Sequence, residues 1–411
     1  MYRLKNAGYE AYLVGGGVRD LLLGREPKDF DVATDALPEE VEALFRNARL
    51  IGRRFRLAHV RFGKEIIEVA TFRGSGSDVD EAPAGDDQTP AMLVRDNVYG
   101  TLEEDAWRRD FSINSLYYSI HDFSVVDYVG GMEDLKGGLL RLIGDPERRY
   151  HEDPVRMLRA VRFAAKLGFK IHPDSEAPIF ELGYLLEAVP AARLFEEFLK
   201  LFMGGAAVET FELLRHYRLF EHLFPQTEAA LAVEEEHFPR LLVARALENT
   251  DERIAAGKPV PPAFLLAALL WEAVRQRALE LEQDEDMPAV QAGQKAAQEV
   301  IQRQAERIAV PRRFSLPMRE IWSLQDRFAK GGPKRVKKLL AHPRFRAAYD
   351  FLLLRGVGGE VEQDLCDWWT RIQEVDEDER RQMLDALGGG GRGNNKRPRR
   401  RRRRRTSAST S

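Results

Sequence analysis

Along this chain the spacing of apolar residues changes once, near residue 145, and the change separates two kinds of structure. Before it, apolar and polar residues alternate over short runs, the period of half-buried strands. Tyr9–Val14, the end of Leu50–Phe62, Glu65–Phe72 and Ser124–Val129 read this way. Short helices intervene: one ends at Gly8, Val18–Leu23 follows Gly15-Gly16-Gly17, Pro38 opens another to about Arg46, and Leu102–Arg108 forms a further one. A helical turn lies between the glycine pairs 130–131 and 137–138, and Leu139–Ile143 closes the region. Gly74–Asp96 follows neither period and reads as a long loop. From Asp145 the spacing is helical through Tyr150–Phe169, Ala191–Met203, Thr210–Phe224, Phe238–Glu248, Ala263–Leu281, Lys295–Ile308, Pro317–Phe328 and Lys334–Leu340, with polar Glu282–Gln294 as a loop. The pattern predicts an α+β protein: a mixed head over 1–143, a helical neck over 144–225, a helical body over 226–387 and a disordered tail over 388–411.

Composition narrows the class. The chain has 411 residues, 44% hydrophobic and 31% charged, as in soluble globular proteins. Its single cysteine, Cys366, excludes internal disulfides and fits a reducing compartment. No basic–apolar–small leader pattern is seen, and the longest apolar run, Ala263–Trp271, is far short of the roughly 20 residues a membrane helix needs. A cytoplasmic enzyme is expected. Residues 1–8 read as the last turns of a helix, so a native start upstream of Met1 is expected as well.

The net charge of −3 conceals an asymmetry. Residues 388–411 hold Arg392, Lys396, Arg397, Arg399, Arg400, Arg401, Arg402, Arg403, Arg404 and Arg405 and no acid, which leaves −13 on the rest. Such a tail is suited to a polyanion, RNA or DNA. A second basic band, with Lys334 and Lys337 among its members, ends at Phe345 and Tyr349, an arrangement suited to a single strand or to a solvated helix. Trp368-Trp369 read as core.

Candidate chemistry is concentrated in Tyr12–Thr34. Gly15 and Gly16 begin a turn that lets backbone N–H groups approach a phosphate, or that is simply tight; it matches neither the GxGxxG nor the Walker pattern. Arg19 adds a cation near the helix start. Asp29 and Asp31, separated by one residue on a predicted strand, can converge on a metal ion while Phe30 and Val32 pack inward. Glu68 is either a third carboxylate or a surface glutamate. Arg108, Arg109, Asp110 and Asn114 supply cations and polar groups for a phosphate and a ribose, or local salt bridges. Asp153, Arg156, Arg159 and Arg162 are three apart on a predicted helix ridge of net positive charge, suited to a base edge and a triphosphate, or to a salt-bridged solvent face.

Four segments in this order, LVGGGVRDLLLG, KDFDVAT, RRDFSINSLYY and EDPVRMLRAVRFAAKLGF, resemble the class II nucleotidyltransferases, which comprise the bacterial poly(A) polymerases and the CCA-adding tRNA nucleotidyltransferases. The resemblance covers residues 9–225 and implies a polymerase-β-like head on an all-α neck, body and C-terminal region. It implies that Gly16 and Arg19 contact a triphosphate and that Asp29 and Asp31 bind two Mg²⁺ ions, with Mn²⁺ as a substitute. Asp110 and its arginine neighbours would form the ribose and triphosphate site. Asp110 would orient the attacking hydroxyl or support the metal site. Asp153 and Arg156 would read the base, with Arg159 and Arg162 supporting the nucleotide. Arg193 and Glu196 would be the polar members of the neck motif. LIGRRFRLAHV, HPRFRAAYDFLLLR, the stretch Ile308–Phe328 and the arginine tail resemble the poly(A) polymerase branch. The expected activity is template-independent AMP transfer from ATP to RNA 3′ ends, with pyrophosphate release. ATP, RNA 3′ ends and RNA-decay proteins are the expected partners, and CCA addition is the alternative.

Overall fold

Seven short strands form one sheet in the head: β1 (Ala11–Val14), β2 (Asp31–Thr34), β3 (Ala48–Ile51), β4 (Leu57–Phe62), β5 (Glu65–Thr71), β6 (Leu116–Ser119) and β7 (Val125–Asp127). A computed structural model of the chain describes residues 1–52, 56–74, 98–232, 238–329 and 331–388. The strand order is β3-β4-β5-β2-β1-β6-β7, antiparallel except where β2 runs parallel to β5. Alternation assigns each strand two faces. On one face Val32, Ala58, Val60 and Val69 pack with Leu4 of the helix Tyr2–Asn6, Val41 of the helix Pro38–Leu44 and Phe45 just after it. On the other, Val14, Ala33, Phe72 and Tyr117 pack with Leu102 and Ala106 of the helix Leu102–Arg108. That helix starts in a capping box in which Thr101 accepts from the Glu104 N–H and Glu104 accepts from the Thr101 N–H.

The remainder is helical. Contacts divide the chain into two units, one of Met1–Ala232, Leu247–Pro262 and Ile301–Val310, the other of Val233–Ala246, Ala263–Val300 and Pro311–Ser411. In the first, a short parallel pair, Leu139–Leu140 with Lys170–Ile171, ties the head to the neck. The neck helix Val155–Leu167 buries Leu158, Val161 and Leu167. In the second, Phe328, Phe345, Tyr349 and Trp369 form an aromatic core. Among the described residues no helix is long and apolar enough to cross a membrane.

Several expectations change. β2 begins at Asp31, so Asp29 precedes the strand, and Phe30 is exposed rather than packed inward. Leu50–Phe62 contains the end of one strand and the whole of its hairpin partner. Tyr150–Phe169 is not one helix: Pro146–Glu152 ends before Pro154, which forces Asp153 into extended backbone (φ −151°, ψ 95°), and a new helix starts at Val155. Thr210–Phe224 is likewise two helices, Ala207–His216 and Phe220–Leu223, parted where Arg218 takes a positive φ. The expected loop Glu282–Gln294 shrinks, because Pro262–Asp284 and Ala289–Arg307 both extend into it; Glu, Gln and Ala are good helix formers even where packing is weak. Phe345 and Tyr349 are buried in the core, unavailable for base stacking, and Trp369 is core as expected. Helices Phe345–Val357, Gln363–Glu374 and Glu377–Gly388 complete the described chain. Arg399–Arg405 and most of Gly74–Asp96 lie outside the described residues.

Candidate active site

Gly15 is the N-cap of the helix Gly16–Leu22, at φ +75° and ψ −142°, a backbone region only glycine enters readily. A Cβ there would sit 3.7 Å from both Asp31 Oδ2 and Arg109 Nη1, so the turn runs between a carboxylate and a guanidinium. At Gly17 a Cβ would come within 3.2 Å of the Asp29 carbonyl oxygen, so the helix start also lies against the aspartate segment. Burial pushes the Asp31 carboxyl above its usual range, helped by the charges of Glu68 and Asp29 and opposed by Arg109. Asp29 is exposed. The structure thus brings Asp29, Asp31, Gly15 and Arg109 together.

Arg109 is aimed by groups the sequence did not single out. Its Nε donates to the Tyr117 hydroxyl at 2.9 Å and its Nη2 to Asp105 at 3.0 Å, while Tyr117 itself donates to Asp105 at 2.7 Å. Burial opposes the Arg109 charge, but Tyr117 and Asp105 more than compensate and keep it protonated. An apolar-looking LYY strand carried no signal for this role.

Glu68 lies directly beside Asp31 in the parallel register, on the same face. Its Oε1 is 3.1 Å from His59 Nε2 on the next strand. Among the described residues no three histidine, cysteine, aspartate or glutamate side chains are grouped to hold a metal by themselves.

A second constellation is built around Phe163. Arg19, Arg159 and Arg162 stand 5.3, 5.5 and 4.4 Å from its ring centre. Arg19 is buried; its Nη1 donates to Asn114 Oδ1 at 2.6 Å, and its Nε and Nη2 to Asp20. Asn114 in turn donates to Asp110 at 3.3 Å. Asp110 accepts from the Phe111 N–H at 2.8 Å and from both Nε and Nη2 of Arg159. Burial alone would raise the Asp110 carboxyl; the Arg159 charge and hydrogen bonds, then Phe111 and Asn114, hold it below the usual range. Asp110 is therefore committed to Arg159. Arg162 differs: its Nε is buried with no hydrogen-bond partner, and burial together with the Arg159 charge pulls its guanidinium down. A cluster of cations with one donor unanswered suits an anion. The periodicity placed Phe163 among packing residues and did not reveal that three arginines meet on its ring.

The remaining predicted residues form a third group. Arg156 donates to the Arg149 carbonyl at 2.6 Å and to Glu152 at 3.2 Å. Asp153 accepts from Arg193 Nη2 at 2.7 Å and from the Val155 N–H at 3.2 Å. Arg149, absent from the sequence-predicted site, donates to the Arg108 and Arg109 carbonyls at 2.9 and 2.6 Å and so fastens neck to head. Arg108 donates to the Gly74 carbonyl. Lys334 and Lys337 are exposed on Pro333–Leu340 in the other unit, which keeps Val336 and Leu339 buried.

Comparison with known proteins gives the family. Residues 11–141 match the family described as the poly A polymerase head domain, 168–231 the probable RNA and SrmB-binding site of polymerase A, and 285–406 the polymerase A arginine-rich C-terminus. Poly(A) polymerase I of Salmonella typhi is 51% identical over 391 residues, 94% of this chain and 84% of that protein. The CCA-adding enzyme of Lactobacillus helveticus is 36% identical over 60% of this chain and 63% of its own length. A solved tRNA-processing enzyme in an apo form shares the fold, with a TM-score of 0.63 at 23% identity over 94% of this chain and 99% of that one. The chain belongs to the poly(A) polymerase family of nucleotidyltransferases.

Proposed function

We propose that this polynucleotide adenylyltransferase adds AMP from ATP to RNA 3′ hydroxyl ends without a template, releasing pyrophosphate, with Asp29 and Asp31 as its catalytic carboxylates. The observation that carries the reading is the junction at Gly15, where Asp31, Arg109 and a helix start meet. Arg109, held charged by Tyr117 and Asp105, faces a phosphate. Arg19, Arg159 and Arg162 form an anion-binding wall around Phe163. Asp110 holds Arg159 in place for the nucleotide. Asp153, steadied by Arg193, and Arg156 present an acceptor and a donor to the base edge, which makes a template strand unnecessary.

The donor set fits magnesium: Asp29 and Asp31 offer carboxylate oxygens, with Asp31 pushed up by burial and by the charges of Glu68 and Asp29, the pattern of a cation that takes one or two carboxylates and completes its shell with substrate phosphates. Asp29 and Asp31 would hold it, with Mn²⁺ as a substitute. When bound it supplies charge neutralisation at the reacting phosphate oxygens.

RNA binding by the neck is supported by the match over 168–231, and the cationic tail and Lys334 and Lys337, in the other unit, are RNA contacts in the same proposal. Work in the cytoplasm alongside RNA-decay proteins is part of the same proposal, consistent with a single free, buried Cys366. CCA addition is disfavoured by sequence, because the Lactobacillus helveticus CCA-adding enzyme is 36% identical over 60% of the chain while the Salmonella typhi poly(A) polymerase is 51% identical over 94%. Incubation of an unstructured RNA and of a tRNA lacking its CCA end with ATP or CTP alone tests the assignment. Long products from ATP alone are expected; incorporation of CTP before a single A would overturn it.

A further inference from the structure

Among the described residues, the sheet that carries Asp31 is covered unevenly. On the Asp31 face, the helix Leu102–Arg108 packs over Val14, Ala33 and Tyr117, which lie on β1, β2 and β6. The β3-β4-β5 half of that face has a different character. Register aligns Arg49 with His59, His59 with Glu68, and Glu68 with Asp31, so these four side chains stand in one row on one face. Arg61 joins the same face two residues beyond His59 on β4. Arg49, Arg61, Ile66 and Glu68 are exposed. Along the row, charge runs from cationic at the outer strands to anionic at Asp31. Glu68 is engaged by His59, whereas neither Arg49 nor Arg61 has an ion-pair partner among the described residues.

Charged residues on an edge strand often serve only to block strand pairing. That explanation reaches Arg49 on β3, but not Arg61, which is on an inner strand and shares the face.

Resting on the tailing reading above, we propose that the last nucleotides of the RNA primer cross this open half of the sheet, with Arg49 and Arg61 on their phosphates and the 3′ end reaching Asp31. Three strand spacings put the Arg49 backbone about 14 Å from that of Asp31. This is the length of about four stacked nucleotides at roughly 3.4 Å each. The polarity fits an acceptor strand: cations meet the phosphates upstream, and the carboxylates stand where the terminal hydroxyl must arrive. The ATP site is separate, since its arginines lie around Phe163 and at Gly15.

The test compares the full-length enzyme with Arg49→Glu/Arg61→Glu, Arg49→Ala/Arg61→Ala and Arg49→Lys/Arg61→Lys double variants, using a short labelled oligoadenylate. Primer KM, ATP KM and equilibrium binding of the primer in EDTA are measured across a salt series. The charge reversal is expected to raise primer KM about tenfold or more with ATP KM unchanged, and the alanine pair to flatten the log–log salt slope of binding by about 1.4, that is about 0.7 per lost phosphate contact. The lysine pair should stay near wild type. A primer KM within twofold of wild type and an unchanged salt slope in a folded reversal variant would overturn the proposal, as would a change in ATP KM alone. A wild-type enzyme that extends no primer overturns the tailing reading instead, and binding in EDTA still decides the role of the two arginines.

Discussion

Replacing Asp110 by asparagine changes one oxygen and one charge at the joint between head and neck. In the folded protein Asp110 Oδ2 accepts Arg159 Nε at 2.8 Å and Nη2 as well, while Oδ1 accepts the Phe111 N–H at 2.8 Å and Asn114 at 3.3 Å. Asparagine retains one acceptor and either turns its amide donors toward a guanidinium or gives up Phe111. Removing one partner of a buried ion pair costs about 3–5 kcal/mol. The Arg159 side chain is 32% exposed, so solvent recovers part of this and about 2 kcal/mol remains. For a folding unit of this size that is about 4–8 °C in Tm.

The pH dependence supplies the sharper check. The folded Asp110 carboxyl lies below its usual range, so its contribution is complete above the unfolded value of about 3.9 and is lost as pH falls through the lower folded value. The Tm difference between wild type and Asp110→Asn should therefore be flat from about pH 5 to 8 and shrink below about pH 4. Thermal unfolding by calorimetry across that range measures it, and ATP KM should rise in parallel because Arg159 is no longer held. A Tm difference under 1 °C at neutral pH, or a deficit that grows with acidity, would refute the role assigned to the pair.

Asp31→Ala should abolish AMP incorporation while leaving Tm within a few degrees; substantial turnover in the purified variant counts against the carboxylate assignment. Arg162→Ala should raise ATP KM at least about tenfold yet leave Tm unchanged or higher, because it removes a buried donor without a partner from beside like charges; a large loss of Tm would show that Arg162 is structural. Gly15→Ala should cost about 1–3 kcal/mol by chemical denaturation, since its backbone angles suit glycine alone, and should lower kcat as Asp31 and Arg109 shift; neutrality in both assays contradicts the strained turn. Truncation before residue 388 should weaken RNA binding and flatten its salt dependence, read by anisotropy at several ionic strengths.

Much of this was legible in local pattern. The alternation of Glu65–Thr71, the glycine turn before Gly16 and the helical spacing after Asp145 are consequences of where apolar side chains must point, and they survive in the folded chain. Boundaries failed where a single residue overrode the period. Pro154 ended a helix that the apolar spacing continued, and helix-forming Glu, Gln and Ala extended helices into a stretch that polarity marked as a loop. Phe345 and Tyr349 lay at the end of a basic run, yet hydrophobic burial placed them in the core.

By itself the sequence determined the chemistry available: paired aspartates, a glycine turn, ridges of arginine and a cationic tail, because residue type and short-range spacing suffice for these. Which partner each side chain meets depends on folding. It set Arg109 against Tyr117 and Asp105, committed Asp110 to Arg159 and left the Arg162 donor unanswered. It also aligned Arg49, His59, Glu68 and Asp31 in one row, since register across four strands is fixed by packing on both faces of the sheet and by no single strand's own sequence.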